Sequence, residues 1–211
     1  MSRPSLPAAS GIVLAGGRSS RFDGDKLAAA FRGRPLIDHA VVALAEVTSE
    51  VVVLLPPVGE PPLSADLMRD SRVRLVRDPE PYGGPLVGLL AGLERVAEPL
   101  SLVAGADMPS LATPVLGAML RALDNSEQAL VALDFRGRVE PLPLAIRVGS
   151  ATALVRRLLG TGERSLRSLL ASAGAARLPE IDWRPLDPAA RTLTDVDTRE
   201  DLDQAQGAWA V

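Results

Sequence analysis

Strand-length apolar runs alternate with helical patterns from Ile12 to Leu123, and this alternation restricts the chain to few architectures. Ile12-Val-Leu-Ala15, Val51 to Leu55 and Leu100 to Ala104 read as strands, with Arg72 to Val76 as a further one. Runs that are apolar at nearly every position suit strands covered on both faces, as in parallel sheets. Between them, Pro35-Leu36-Ile37 opens an amphipathic helix through about Glu46, with proline in its first turn. Leu86, Leu89, Leu90, Leu93 and Val96 follow helical spacing, and Thr113-Pro114 reads as the N-cap and first turn of a helix through about Leu123. This βαβ rhythm predicts a three-layer α/β/α domain around a mostly parallel sheet.

The second half is less regular. Val131 to Leu133 and Leu142 to Arg147 read as strands, with a turn over Asp134 to Arg138 between them. Helices are expected over Ser150 to Leu159, Arg164 to Ser172 and Thr198 to Gln206. No internal repeat or low-complexity linker divides the 211 residues. The expectation is one domain over residues 10–211, behind a loose tail at residues 1–9.

Composition excludes several functions. No cysteine is present, which removes disulfide scaffolds, cysteine-based zinc sites and thiol catalysis. A net charge of -3 with only three Phe, two Trp and one Tyr supplies neither a basic field nor stacking platforms for nucleic acid. No apolar run reaches the roughly 18 residues of a membrane span, and the N-terminus lacks a secretory pattern, so a cytoplasmic location is expected. Of the 23 Lys and Arg, one alone is lysine, Lys26. Arginine is the common spelling of a cation in this chain, so the exception points to a place that needs a compact ammonium.

Lys26 closes the most unusual segment, Leu14-Ala-Gly-Gly-Arg-Ser-Ser-Arg-Phe-Asp-Gly-Asp-Lys26, directly after the first strand. Glycines at a strand end let backbone N–H groups approach a phosphate. Arg18, Arg21 and Lys26 add the cations a triphosphate requires. The segment is neither a Walker A loop nor G-x-G-x-x-G.

This segment resembles the signature of the MobA-like nucleotidyltransferases, through Leu14, Ala15, Gly16, Gly17, Ser19, Arg21, Asp25 and Lys26. Phe22 stands in place of the usual Met, and Asp23 where a Gly is expected, with Gly24 one position later. The resemblance continues through Gly33-Arg-Pro-Leu36, then Asp78 with Gly84-Pro-Leu-Val-Gly88 and Ala106-Asp-Met-Pro109. It extends to Glu140-Pro-Leu142 with Arg147, and to Thr194-Asp-Val-Asp-Thr-Arg-Glu-Asp-Leu202. Six motifs in order over most of the chain form a specific signal.

The resemblance implies a Rossmann-like nucleotidyltransferase fold and a magnesium-dependent transfer of GMP from GTP to a molybdopterin-type acceptor, with release of pyrophosphate. It implies that Leu14, Ala15, Gly16, Gly17 and Lys26 hold the nucleotide, together with Asp78, Gly84, Gly88 and Asp107. Arg21, Lys26 and Asp107 are the implied catalytic residues, and Asp107 with Asp197 the metal ligands. Transient contact with other cofactor-biosynthesis proteins or recipient molybdoenzymes belongs to the same expectation.

Independently, a carboxylate just beyond a parallel strand, as at Asp107, lies in the crevice where α/β sheets bind ligands, and magnesium takes one or two carboxylates plus phosphate oxygens and water. Asp107 also reads as a turn or cap residue before Met108-Pro109. Asp197 reads equally as a ligand or, with Thr194 or Thr198, as a cap of the last helix. The resemblance implies that Asp78 is a guanine-recognising carboxylate and that Gly84 and Gly88 face the base; by themselves they read as a turn residue and as packing glycines. The Asp195-x-Asp197 spelling resembles the cytidylyl branch of the family. His39 has no partner pattern and reads as a surface or half-buried helix residue. Arg156, Arg157, Arg164 and Arg167 read as solvated helix faces or as holders of an anionic acceptor. A CMP transferase to the same acceptor, a transferase for another phosphorylated acceptor, a nucleotide-binding regulator with a decayed site, and a nicotinamide-dependent oxidoreductase remain as other readings.

Overall fold

The computed structural model describes residues 5–16, 22, 24–78 and 83–207. In chain order the elements are β1 (Ala9–Leu14), β2 (Ala30–Phe31), β3 (Arg34–Pro35), α1 (Leu36–Ala45), β4 (Glu50–Leu55), α2 (Ala65–Arg69) and β5 (Val73–Arg77). Then come α3 (Pro85–Leu93), β6 (Leu100–Gly105), α4 (Thr113–Asp124), β7 (Leu130–Phe135), β8 (Arg138–Arg147) and α5 (Val148–Gly160). The chain continues with α6 (Leu166–Ala173), β9 (Ala176–Leu178), α7 (Glu180–Trp183) and α8 (Arg199–Gly207).

Seven strands form one sheet in the order β5-β4-β1-β6-β8-β7-β9, and β2 with β3 forms a separate hairpin. Only β8 runs against its neighbours in the large sheet. The apolar strand runs are explained by two cores. Along β4, Val51, Val53 and Leu55 enter one core with Ile37, Val41 and Leu44 of α1 and Leu116 and Leu120 of α4. Val52 and Leu54 point the other way, to Leu86, Leu89 and Leu93 of α3 and to Val155 and Leu169 of α5 and α6. Each fully buried Val or Leu contributes about 1.5–3 kcal/mol by leaving water, so this alternation fixes the register of every central strand.

The expected helices and strands are present with shifts of a few residues, and β1 begins at Ala9, inside the stretch read as a tail. The N-cap expected at Thr113 is corrected. Thr113 is the first helical residue, and Ala112 is the cap, its N–H donating to the buried Thr192 hydroxyl at 3.1 Å. The turn between β7 and β8 is narrower than expected. Arg136 and Gly137, both with positive φ, make a two-residue connection.

A third, small core joins distant parts of the chain. Phe22, Phe31, Leu36, Val196, Leu202 and Ala205 cluster together, so α8 packs on the β2–β3 hairpin and on Phe22 of the glycine-rich segment. The Arg199 guanidinium lies 5.0 Å from the centre of the Phe22 ring.

Candidate active site

The sheet order reverses beside β1, because the chain goes from β1 to β4 and β5 on one side and to β6 on the other. Such a switch point opens a crevice at the carboxyl ends of the strands. Backbone bonds continue the sheet into that crevice: Ala15 N–H donates to Leu54 O at 2.9 Å, Ala106 N–H to Leu14 O at 3.0 Å, and Asp78 N–H to Leu55 O at 2.8 Å. Gly16, Asp78 and Asp107 therefore leave the sheet together.

Asp78 stands between the two glycine segments. A Cβ built on either Gly16 or Gly88 would lie 3.6 Å from Asp78 Oδ2, and one on Gly88 would lie 3.8 Å from Leu14 Cδ2. Those are ordinary contacts, so among the described residues packing does not demand glycine at 16 or 88. Gly84 differs. It has φ +90°, and a Cβ there would meet Arg164 Cβ at 2.9 Å. The close approach of Arg164, whose carbonyl also accepts from Leu86 N–H at 3.2 Å, is sufficient reason for that glycine.

Lys26 sits on the other side of the crevice. The Asp25 carboxylate accepts from Leu27 N–H at 3.0 Å and Ala28 N–H at 3.3 Å, which folds the turn that presents Lys26. Lys26 Nζ donates to Asp107 Oδ2 at 2.8 Å across 81 positions of sequence, and to Asp197 Oδ1 at 3.2 Å across 171. The lysine side chain is 11% exposed, against 30% for Asp107 and 49% for Asp197. Burial works against the ammonium, but the charge and hydrogen bond of Asp107, and then those of Asp197, outweigh it and raise the Lys26 pKa.

Local bonds hold both carboxylates in place. Val196 N–H donates to Asp107 O at 2.9 Å, stitching the C-terminal segment to the end of β6. Thr198 and Asp201 form a capping box on α8: Asp201 N–H donates to the Thr198 hydroxyl at 3.1 Å, while Asp201 Oδ2 accepts from Thr198 N–H at 2.8 Å. The same oxygen accepts from Asp197 N–H at 3.0 Å. Thr198 is thus the helix cap, and the Asp197 carboxylate is turned toward Lys26. Asp195 lies close by, its carboxyl raised above the ordinary range by desolvation first, and then by the charges of Asp107 and Asp197.

Sequence reasoning placed Asp107 and Asp197 on one metal without anticipating that Lys26 pairs with both. It missed Gly105, which leaves room for the Asp107 carboxylate, and the bonds by which Asp201, read only as suiting the helix dipole, holds Asp197 and Thr198. The Thr-x-x-Asp pattern of a capping box was the available signal for the latter. Gly17, Arg18, Arg21 and Asp23 lie outside the described residues. His39 is half-buried, donates through Nε2 to Phe31 O at 2.8 Å and packs edge-on to the Phe31 ring. Arg156, Arg157, Arg164 and Arg167 are exposed, with Arg156 paired to Glu94 at 2.8 Å.

Among the described residues no group of three or more acidic, His or Cys side chains converges as a ready metal cage. What converges is one pair of carboxylates on one cation. An oxygen pair of this kind suits a hard divalent ion that completes its shell from phosphate and water.

Residues 11–178 match the family model of the MobA-like NTP transferase domain. The chain belongs to that family. This MobA-like chain is therefore a nucleotidyltransferase. It is 36% identical over 203 residues to a protein of Chloroflexus aggregans named "Probable molybdenum cofactor guanylyltransferase", covering 93% of each. It is 32% identical over 175 residues to "Molybdenum cofactor guanylyltransferase" of Burkholderia orbicola, covering 80% of this chain and 84% of that one. The MobA-like fold is shared with the crystal structure of molybdopterin-guanine dinucleotide biosynthesis protein A from Archaeoglobus fulgidus. The TM-score is 0.78 at 19% identity, over 95% of this chain and 98% of that one. It is also shared with 2-C-methyl-D-erythritol 4-phosphate cytidylyltransferase from Thermus thermophilus, with TM-score 0.68 at 18% identity over 98% and 100%. Among the described residues no helix is long and apolar enough to cross a membrane.

Proposed function

We propose that this nucleotidyltransferase moves GMP from GTP to a molybdopterin-type cofactor with magnesium, releasing pyrophosphate. The names of its relatives support the substrates. The observation that carries the chemistry is the junction of Lys26 with Asp107 and Asp197 at the mouth of the β1–β6 crevice.

An oxygen of the acceptor's terminal phosphate attacks the α-phosphorus in line, the bond from that phosphorus to the bridging oxygen breaks, and pyrophosphate departs. Lys26 meets charge on the phosphate oxygens. The backbone N–H groups of Gly16 and Gly17 cradle them, and Leu14 and Ala15 form the floor from which that loop leaves β1. Arg21 supplies a second cation. Asp78 accepts the ring N–H and exocyclic amine of guanine, with Gly88 leaving space for the base and Gly84 holding the entry to α3. Asp107 and Asp197 would hold magnesium, which would supply charge neutralisation for the triphosphate and the leaving pyrophosphate. No protein nucleophile takes part.

The Asp195-x-Asp197 spelling favours a second reading, CMP transfer to the same acceptor. Calorimetric titration with GTP, CTP and ATP in magnesium separates the two. Preference for GTP supports guanylyl transfer, preference for CTP moves the protein to the sister activity, and binding of neither contradicts both.

A further inference from the structure

The two carboxylates that would hold magnesium are already bound to a cation of the chain itself. Asp107 Oδ2 and Asp197 Oδ1 both receive the Lys26 ammonium, at 2.8 and 3.2 Å, and the lysine side chain is the most enclosed of the three. Magnesium binds oxygen at about 2.0–2.1 Å, so an ion taking these oxygens would sit almost against the ammonium. Two cations so placed repel strongly.

We propose that Lys26 is a placeholder for the metal. Without nucleotide its ammonium neutralises Asp107 and Asp197. When magnesium and the triphosphate arrive, the ammonium transfers to the phosphate oxygens and the metal takes the carboxylates. The exchange moves ion pairs only and breaks no covalent bond. It suits lysine rather than the arginine used everywhere else in this chain, because a compact ammonium on a flexible stem can change partners within one crevice. The inference rests on Asp107 and Asp197 being the metal-holding pair.

Two consequences follow physically. Metal alone binds weakly, since its apparent affinity is reduced by the small fraction of molecules in which Lys26 has left. Metal and triphosphate each strengthen the other's binding by the same factor, because each gives Lys26 a reason to move.

Magnesium chloride is titrated calorimetrically, without nucleotide, into the wild-type chain, Lys26→Met, and each of these carrying Asp107→Asn. The expected result is metal binding at least about tenfold tighter in Lys26→Met than in wild type, and loss of binding with Asp107→Asn. Equal affinities of wild type and Lys26→Met, with loss on Asp107→Asn, would overturn the placeholder while leaving the metal pair intact. Binding unaffected by Asp107→Asn, or absent from every protein, would overturn the metal pair and the placeholder together. A second readout needs no variant. Lys26 is the only lysine, so 15N-lysine labelling gives one side-chain ammonium signal. That signal should lose its ion-paired character as metal saturates wild type; an unchanged ion-paired signal at saturation would overturn the exchange.

Discussion

A Cβ added to Gly105 would stand 2.5 Å from Asp107 Oδ1, so the absence of a side chain at the end of β6 is what lets the Asp107 carboxylate turn back into the crevice. The same Cβ would press on Met108 Cγ at 3.3 Å. Gly105→Ala should therefore push the carboxylate out of line, at a stability cost of about 1–3 kcal/mol. Folding by circular dichroism with a fall of at least tenfold in kcat is the expected pair of results. A variant with wild-type kcat would show that Asp107 has room to spare.

The capping box of α8 ties helix stability to the position of Asp197. Asp201 Oδ2 accepts from Asp197 N–H and Thr198 N–H, and from the Thr198 hydroxyl at 2.8 Å. Asp201→Ala should cost about 1 kcal/mol in urea unfolding and raise the KM for magnesium. Asp201→Glu, which keeps an acceptor, should recover part of both losses. An unchanged KM for magnesium in Asp201→Ala would separate the cap from the metal pair.

Gly88 offers a test in which stability and binding move in opposite directions. Its Cβ would make only ordinary contacts among the described residues, and alanine is favoured over glycine in a helix by up to about 1 kcal/mol. Gly88→Ala should fold as well as wild type or better, while its GTP affinity falls because the methyl occupies the space beside Asp78. Asp78→Asn should weaken GTP by about 2 kcal/mol, roughly 30-fold, with less effect on CTP. Calorimetry on both variants checks this; undiminished GTP binding would remove Asp78 and Gly88 from the base site.

The acidic groups around Lys26 predict a direction for stability against pH. The Asp195 carboxyl is raised by desolvation and by Asp107 and Asp197, so the folded state favours its neutral form. Its contribution is present below the ordinary aspartate range and lost as pH rises through the raised value, leaving a cost at neutrality. Asp195→Asn should raise the urea midpoint at about pH 7 and lose that advantage near pH 3.5. An equal gain at both would contradict the electrostatic origin. Lys26 behaves with the same sign at higher pH: its pKa is raised, so its contribution is fully present below the ordinary lysine range and lost as pH rises through the raised value.

Much of this was legible because it was local. Val51 to Leu55 declared a strand buried on both faces, and Asp107 declared a carboxylate beyond a strand end. Strands β2, β3 and β9 were missed because two or three residues carry no period. Thr113 was misread because Thr192, 79 positions further on, supplies the hydroxyl that meets Ala112 N–H. The pairing of Lys26 with Asp197 and the demand for Gly105 depend on how distant segments meet, and a single sequence holds no local sign of either.

The most direct test is pyrophosphate release by the purified chain given GTP, magnesium and molybdenum cofactor. Release that requires all three, with the guanine dinucleotide form as product, is the predicted result. No release with GTP, or faster release with CTP, would contradict guanylyl transfer.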